Sequence, residues 1–280
     1  MRLKQKDNSS LRDSHLTFSE GVISDSESKN WSPKVESVSE PSVGYLKDSV
    51  MELKKAAPAI HIASKNGRLS FLQRKIGNIL LYNAYTDLLI KEIHAIRVRD
   101  LAESVGFNSN DYELLKSSLK QLRNIAIEWN VLNVDGREKW GVSSMIAEAQ
   151  IENGVITYSY PPMLRKLLYN PEIFARIDLR VQKRFSGNYA LSLYENCYRF
   201  KSAGTTGVIL LDTWKKLIGV EAGGTYEIFK NLNRKIIKPA VEEINSVSDI
   251  RVTVEYVKEG RKVIGLQFEI SENLKFMPEI

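Results

Sequence analysis

Apolar positions along the chain fall into two successive blocks with one shared order. In the first, Leu69, Leu72, Ile76, Ile79 and Leu80 recur at helical spacing and predict an amphipathic helix over 70–87. Ile93 to Val98 reads as a short strand, and Arg99 to Val105 as a short helix stopped by Gly106. Asn110 with Glu113 three residues on has the capping-box pattern of a helix start. That helix runs to Asn124, with Leu115, Leu119 and Leu122 on one face. Ile125, Ile127, Trp129 and Val131 alternate as a strand, Asp135-Gly136 signals a hairpin turn, and Trp140 to Met145 returns. A second turn signal, Asn153-Gly154, leads into the alternating VITYSY, and Pro161-Pro162 opens a helix around Leu164 to Leu168.

The second block repeats this order. Asn188 to Phe200 is a helix, Val208 to Leu211 a short strand, and Asp212 to Ile218 a short helix stopped by Gly219. Thr225 opens a long helix to about Asn245. Ile250, Val252, Val254 and Tyr256 alternate, Glu259-Gly260 turns the chain, and Ile264, Leu266, Phe268 and Ile270 alternate back. The blocks also align by residue type. Val105-Gly106-Phe107 parallels Ile218-Gly219-Val220, and Tyr112-Glu113-Leu114-Leu115-Lys116 parallels Tyr226-Glu227-Ile228-Phe229-Lys230. Helix, strand, helix, helix and hairpin describe a winged helix. The expected fold is therefore α+β, with two tandem winged-helix domains over 59–174 and 175–280. Residues 1–58 hold twelve serines, Pro33, Pro41, Pro58 and little periodicity, and read as a disordered arm.

Charge sharpens the picture. The chain of 280 residues carries 40 Lys+Arg against 34 Asp+Glu, a net +6. The arm holds nine of each sign, residues 59–174 are +2, and residues 175–280 are +4. The excess permits a nucleic-acid partner without requiring one. On the helix from Thr225, Phe229, Leu232, Ile236, Ala240 and Ile244 form an inward stripe. Lys230, Arg234 and Lys238 recur every four residues on another face, flanked by Asn231 and Lys235, with Glu227 the one acid over 225–238. Arg reads a guanine edge with two hydrogen bonds and Asn pairs with adenine, whereas Lys mainly meets phosphates. A solvated lysine-rich face is the competing reading. In the first block Lys116, Ser117, Lys120 and Asn124 share a face opposed by Asp111 and Glu113, which suits phosphate contacts or protein association. Lys258, Arg261 and Lys262 surround one hairpin tip, and Arg137 and Lys139 follow the other. Such tips suit a DNA wing or a protected sheet edge.

Several function classes are disfavoured. No P-loop run exists, and His15, His61 and His94 form no His-x-His pair for a metal-dependent nickase. His94 sits in the apolar strand IHAIRV and reads as structural; the single cysteine, Cys197, reads as core filler. Gly223-Gly224 could cradle a phosphate, but a turn before the reading helix explains it. No catalytic constellation, metal or cofactor is expected. No apolar run approaches the roughly 20 residues of a bilayer helix, no secretory signal is visible, and one cysteine suits a reducing cytoplasm.

These residues resemble those of a known family. IDLRVQKRFSGNYALSLYENCYRF (177–200) is similar to the helix opening the second domain of theta-type, iteron-binding plasmid replication initiators. YEIFKNLNRKIIKPAVEEINSVSDIRV (226–252) is similar to the family's reading helix and following strand, with Pro239 to Asn245 the most specific motif. The similarity covers about 65–272, and Gly187 stands where many relatives place Ser. The resemblance implies that Lys230, Asn231, Arg234 and Lys238 read direct repeats at an origin, while Lys116 and Lys120 hold the backbone. It also implies recruitment of a host initiator ATPase and replicative helicase, and autorepression by a homodimer in equilibrium with monomer. The alternatives are a winged-helix transcriptional regulator without a replication role, a rolling-circle nickase and a protein-only adaptor.

Overall fold

The computed structural model describes residues 51–56, 69–107, 110–132, 138–169, 174–221 and 223–276, within one compact unit spanning Glu40–Ile280. Residues 1–50 and 57–58 of the expected arm, and the Asp135-Gly136 turn with Arg137, lie outside the described residues. The arm reading does not hold for Glu52–Ala56. These residues form strand β1, antiparallel to β7 (Phe174–Asp178), with Leu53 paired to Ile177. Both of those side chains are buried.

The first domain is built on α1 (Phe71–Ala84), capped by Ser70, whose hydroxyl accepts from Gln73 N while the Gln73 side chain accepts from Ser70 N. Ile76, Ile79 and Leu80 are fully enclosed, and Arg74, Lys75 and Asn78 are buried too. A helix buried nearly all round is a central helix. Strand β2 (Ile93–Arg97) follows, then α2 (Val98–Val105) and α3 (Tyr112–Asn124). The cap of α3 is Asp111, one residue beyond the expected Asn110; its carboxylate accepts from Leu114 N.

Among the described residues, strands β3 (Ala126–Leu132) and β4 (Glu138–Ser144) pair only with each other. A second hairpin, β5 (Glu148–Glu152) and β6 (Val155–Ser159), joins β2 in a sheet of order β2-β6-β5. Its turn has Asn153 at φ 48° and Gly154 at φ 75°, the two left-handed residues of a tight hairpin. The wing of the first domain is therefore β5–β6, and β3–β4 is a separate two-stranded ribbon. Helix α4 (Pro162–Leu168), strand β7 and α5 (Leu179–Arg184) complete the packing. Lys75 Nζ donates to Phe185 O at 3.1 Å and Asn78 Nδ2 to Gln182 Oε1, so β7 and α5 pack on the first domain. A boundary at 174/175 cuts through that packing.

Helix α6 (Asn188–Tyr198) leads into β8 (Ile209–Leu210) and α7 (Leu211–Ile218). Helix α8 begins with Phe229–Leu232, passes through a π-helical segment Asn233–Ile237 and ends with Lys238–Val247. Strands β9 (Ile250–Glu259) and β10 (Lys262–Glu272) form the hairpin, and the sheet runs β8-β10-β9. Trp214 stacks on Phe268 beneath it, both fully enclosed. The sequence repeat is visible in the backbone. Gly106 (φ 78°) ends α2 and Gly219 (φ 75°) ends α7. In each case the next residue, Phe107 or Val220, donates five residues back, to Ala102 O and Lys215 O. Only glycine takes that left-handed capping position without strain.

Candidate nucleic-acid interface

The turn before α8 carries Gly223 (φ 88°) and Gly224 (φ 66°), then a 3₁₀ turn, Gly224–Glu227. Glu227 folds back on it. Its Oε1 accepts from Gly223 N at 2.8 Å and its Oε2 from Lys215 Nζ at 3.1 Å. The Gly223 N–H first, then Lys215, hold this carboxyl below the ordinary range. The one acid of the segment is thereby tied to the scaffold, and the Gly223 N–H is not free to cradle a phosphate.

Beyond the turn, Lys230, Arg234, Lys235 and Lys238 are exposed. Among the described residues none of the four forms an ion pair. Asn231 differs: it is half-buried and its Nδ2 donates to Thr225 O at 3.3 Å. The inward stripe holds, with Leu232, Ile236, Ala240 and Ile244 buried, but Ile237 is buried as well. The π turn explains the extra residue. Pro239 has no N–H to give Lys235 O, and Lys238 N donates instead to Asn233 O, five residues back. The wider turn places two consecutive isoleucines inside and leaves Arg234 and Lys235 consecutive outside. Tyr256 of β9 fixes it by donating to Asn233 Oδ1 at 2.8 Å. At the wing tip Lys258, Arg261 and Lys262 are exposed around Gly260 (φ 58°).

The matching face of the first domain is weaker. Lys116 and Lys120 are exposed on α3, but Lys116 Nζ pairs with Glu113 Oε1 at 2.7 Å. The wing tip β5–β6 carries Glu152, and Glu148 lies at the far end of β5. Both are exposed, and neither suits a phosphate backbone. His94 is buried against Tyr158 and Tyr160, and burial pushes its pKa down. Cys197 is enclosed, and burial pushes its thiol up, as a core residue requires. Among the described residues no group of three His, Cys, Asp or Glu is placed to hold a metal ion, and no helix is long and apolar enough to cross a membrane.

The residues joining the two domains escaped sequence reasoning. Helix α6 carries Glu195, fully enclosed. Its Oε2 takes Lys55 Nζ of β1 at 2.8 Å and Arg74 Nη1 of α1 at 3.0 Å, and its Oε1 accepts from Asn78 Nδ2 at 2.7 Å. Burial alone would raise this carboxyl, but Lys55 and Arg74 hold it below the usual range. Burial in turn lowers Lys55 to about 8. The neighbouring tyrosines hold the second domain: Tyr194 and Tyr198 each donate to Asp249 at 2.9 Å. Glu243 of α8 accepts from Ser186 N and Gly187 N at the start of α6. A Cβ at Gly187, where the resemblance expects serine, would stand 2.5 Å from Glu243 Oε2, the far end of a flexible side chain, so that carboxylate would have to shift to admit it. Nothing in the local sequence pairs Glu195 with Lys55, 140 residues away.

Two domains of one plan, each setting a helix and a wing beside each other, define a tandem winged-helix protein. The family model described as initiator replication protein, WH1, matches residues 52–198, and that described as initiator Rep protein, WH2, matches 210–270. The chain belongs to this family of DNA-binding replication initiators. The first match runs through α6. A crystal structure of the Pi initiator protein in complex with iteron DNA superposes with a TM-score of 0.62 at 20% identity, covering 80% of this chain and 98% of that one. A structure of domains 2 and 3 of RctB gives a TM-score of 0.45 at 13% identity, covering 72% and 82%.

Proposed function

We propose that this initiator binds direct repeats of duplex DNA at a plasmid origin, with the second domain reading sequence and the first placing the backbone. The observation that supports it most is the unpaired cationic ridge of Lys230, Arg234, Lys235 and Lys238 beside the basic wing of Lys258, Arg261 and Lys262. Arg234 supplies a bidentate donor for a guanine edge, and the lysines neutralise phosphates. Asn231 contributes to adenine through its Oδ1, or after releasing Thr225 O. Lys116 and Lys120 make sequence-independent contacts. No hydrolytic site takes part: binding energy prepares the origin, and the host initiator ATPase and replicative helicase open it in the cytoplasm. A homodimer joined through the first domain represses the protein's own promoter. The likeness in fold to a protein crystallised with iteron DNA is consistent with this reading. The test is replication in trans. A plasmid carrying only the repeats that the protein selects is expected to replicate when the protein is supplied. Repression of a promoter without replication would replace this reading by that of a transcriptional regulator.

A further inference from the structure

The residue that opens α8 is an isoleucine. Ile228 is 60% exposed and lies outside the hydrophobic core. It occupies the N-cap (φ −80°, ψ 109°) and makes no side-chain cap hydrogen bond. Its carbonyl accepts from Asn231 N and Leu232 N, which fixes it to the first turn. Neither packing nor capping asks for isoleucine here. A cap favours Ser, Thr, Asp or Asn, and an aliphatic side chain in water gains nothing from the fold. The exposed Lys230 and Arg234 follow it on the same helix, while Glu227, next to it in the chain, is turned back onto Lys215. The corresponding position of the internal repeat, Leu114, is also aliphatic and 42% exposed, in the first turn of α3. Both heads therefore present an aliphatic group at the start of the helix that follows the tight turn, and in the second that same helix carries the exposed Lys230, Arg234 and Lys235. A partner that is anionic and also offers an apolar contact fits that combination. The major groove supplies both, through phosphates and the thymine C5-methyl group.

We infer that Ile228 is a specificity-determining residue that recognises a thymine methyl in the major groove. The inference rests on the proposed reading of duplex repeats by α8. The experiment uses the full chain and a duplex site that it selects from a random-sequence library. Each thymine of that site is replaced in turn by deoxyuridine, which removes only the methyl. Affinities are measured for the native chain, Ile228→Ala and Ile228→Val at one salt concentration. The native chain is expected to lose about fourfold in affinity at one or two adjacent thymines, the worth of a single buried methyl. Ile228→Ala should bind the thymine site about that much more weakly and be indifferent to deoxyuridine there, whereas Ile228→Val should keep part of the response. An unchanged thermal midpoint for both variants is expected, because the side chain is outside the core. A selected repeat bound equally well with every thymine replaced, or an undiminished deoxyuridine response in Ile228→Ala, would overturn the role of Ile228 and leave repeat reading intact. Failure of the native chain to select any sequence would overturn both.

Discussion

In the second domain Lys230, Arg234, Lys235 and Lys238 stand in water, whereas in the first Lys55, Arg74 and Lys75 are buried. The ridge of the second domain turns its cations outward, whereas these three are turned inward, Lys55 and Arg74 onto Glu195 of α6 and Lys75 onto the Phe185 carbonyl. The wings repeat the contrast, with Lys258, Arg261 and Lys262 at one tip and Glu152 at the other. A shared backbone plan, down to the paired caps at Gly106 and Gly219, thus carries two electrostatic roles. Winged-helix topology brings a helix and a hairpin together; it does not by itself make a DNA-reading surface. Charge placement separates the two surfaces, and the proposal that the second domain reads sequence while the first places the backbone rests on that difference.

The largest test of that division is Glu195→Ala. It strands Lys55 and Arg74 without their counter-charge, and breaking a buried pair from one side costs roughly 3–5 kcal/mol. Denaturant unfolding should show a loss of that order. Lys238→Ala, on the exposed ridge, should stay within about 0.5 kcal/mol. Equal losses would dissolve the distinction between structural and functional cations.

Next comes binding. Arg234→Ala should lose about 1–3 kcal/mol on the selected repeat and discriminate less among sequences. Lys120→Ala should weaken all duplexes alike and lower the salt slope by about one. Mobility-shift titrations at several salt concentrations separate the two. A change in specificity from the Lys120 variant would move sequence reading into the first domain. A smaller effect belongs to the wing. Replacing Lys258, Arg261 and Lys262 together by Ala should cut the salt slope by at most about 2.7, at roughly 0.9 per phosphate contact. No change would mean that the tip serves to protect a sheet edge instead.

The parts of the fold with local causes were legible in the sequence, and those with distant causes were not. Gly106 and Gly219 announced their helix ends because the left-handed cap is a local demand. The alternation from Ile250 to Ile270 announced β9 and β10 because one face of the hairpin is buried, with Val252 and Phe268 fully enclosed. The stripe on α8 was right except for Ile237, which entered the core through a π turn that no period of 3.6 anticipates. Strand β1 was missed because Glu-Leu-Lys-Lys-Ala reads as polar. Its Lys55 is buried only because Glu195 waits 140 residues further on. That β5–β6 rather than β3–β4 joins β2 is not legible either, since the sequence signals both turns but not which hairpin β2 will join. The cationic residues of α8 were visible as charges. That Glu227 is tied back while Lys116 is paired to Glu113 is a matter of side-chain geometry.

The smallest effect concerns acid. Glu195 has its carboxyl held below its ordinary value of 4.5, so folding favours the ionised form. Its contribution to stability is complete above about 4.5 and is lost as pH falls through the lower folded value. Between the two, the unfolded chain binds a proton that the folded chain does not, and stability falls with pH by at most about 1.4 kcal/mol per unit. Glu195→Gln removes that proton from both states. Its unfolding free energy should start lower and fall less steeply below pH 4.5, by up to one proton in the slope. Glu113 and Glu227 are also held below the ordinary range, but they are exposed and their charges are screened by solvent. Glu227→Gln should therefore leave the slope nearly as it was. A steeper change from Glu227 than from Glu195 would mean that the second domain, not the first, is held together by its charges, and the contrast between the two domains would reverse.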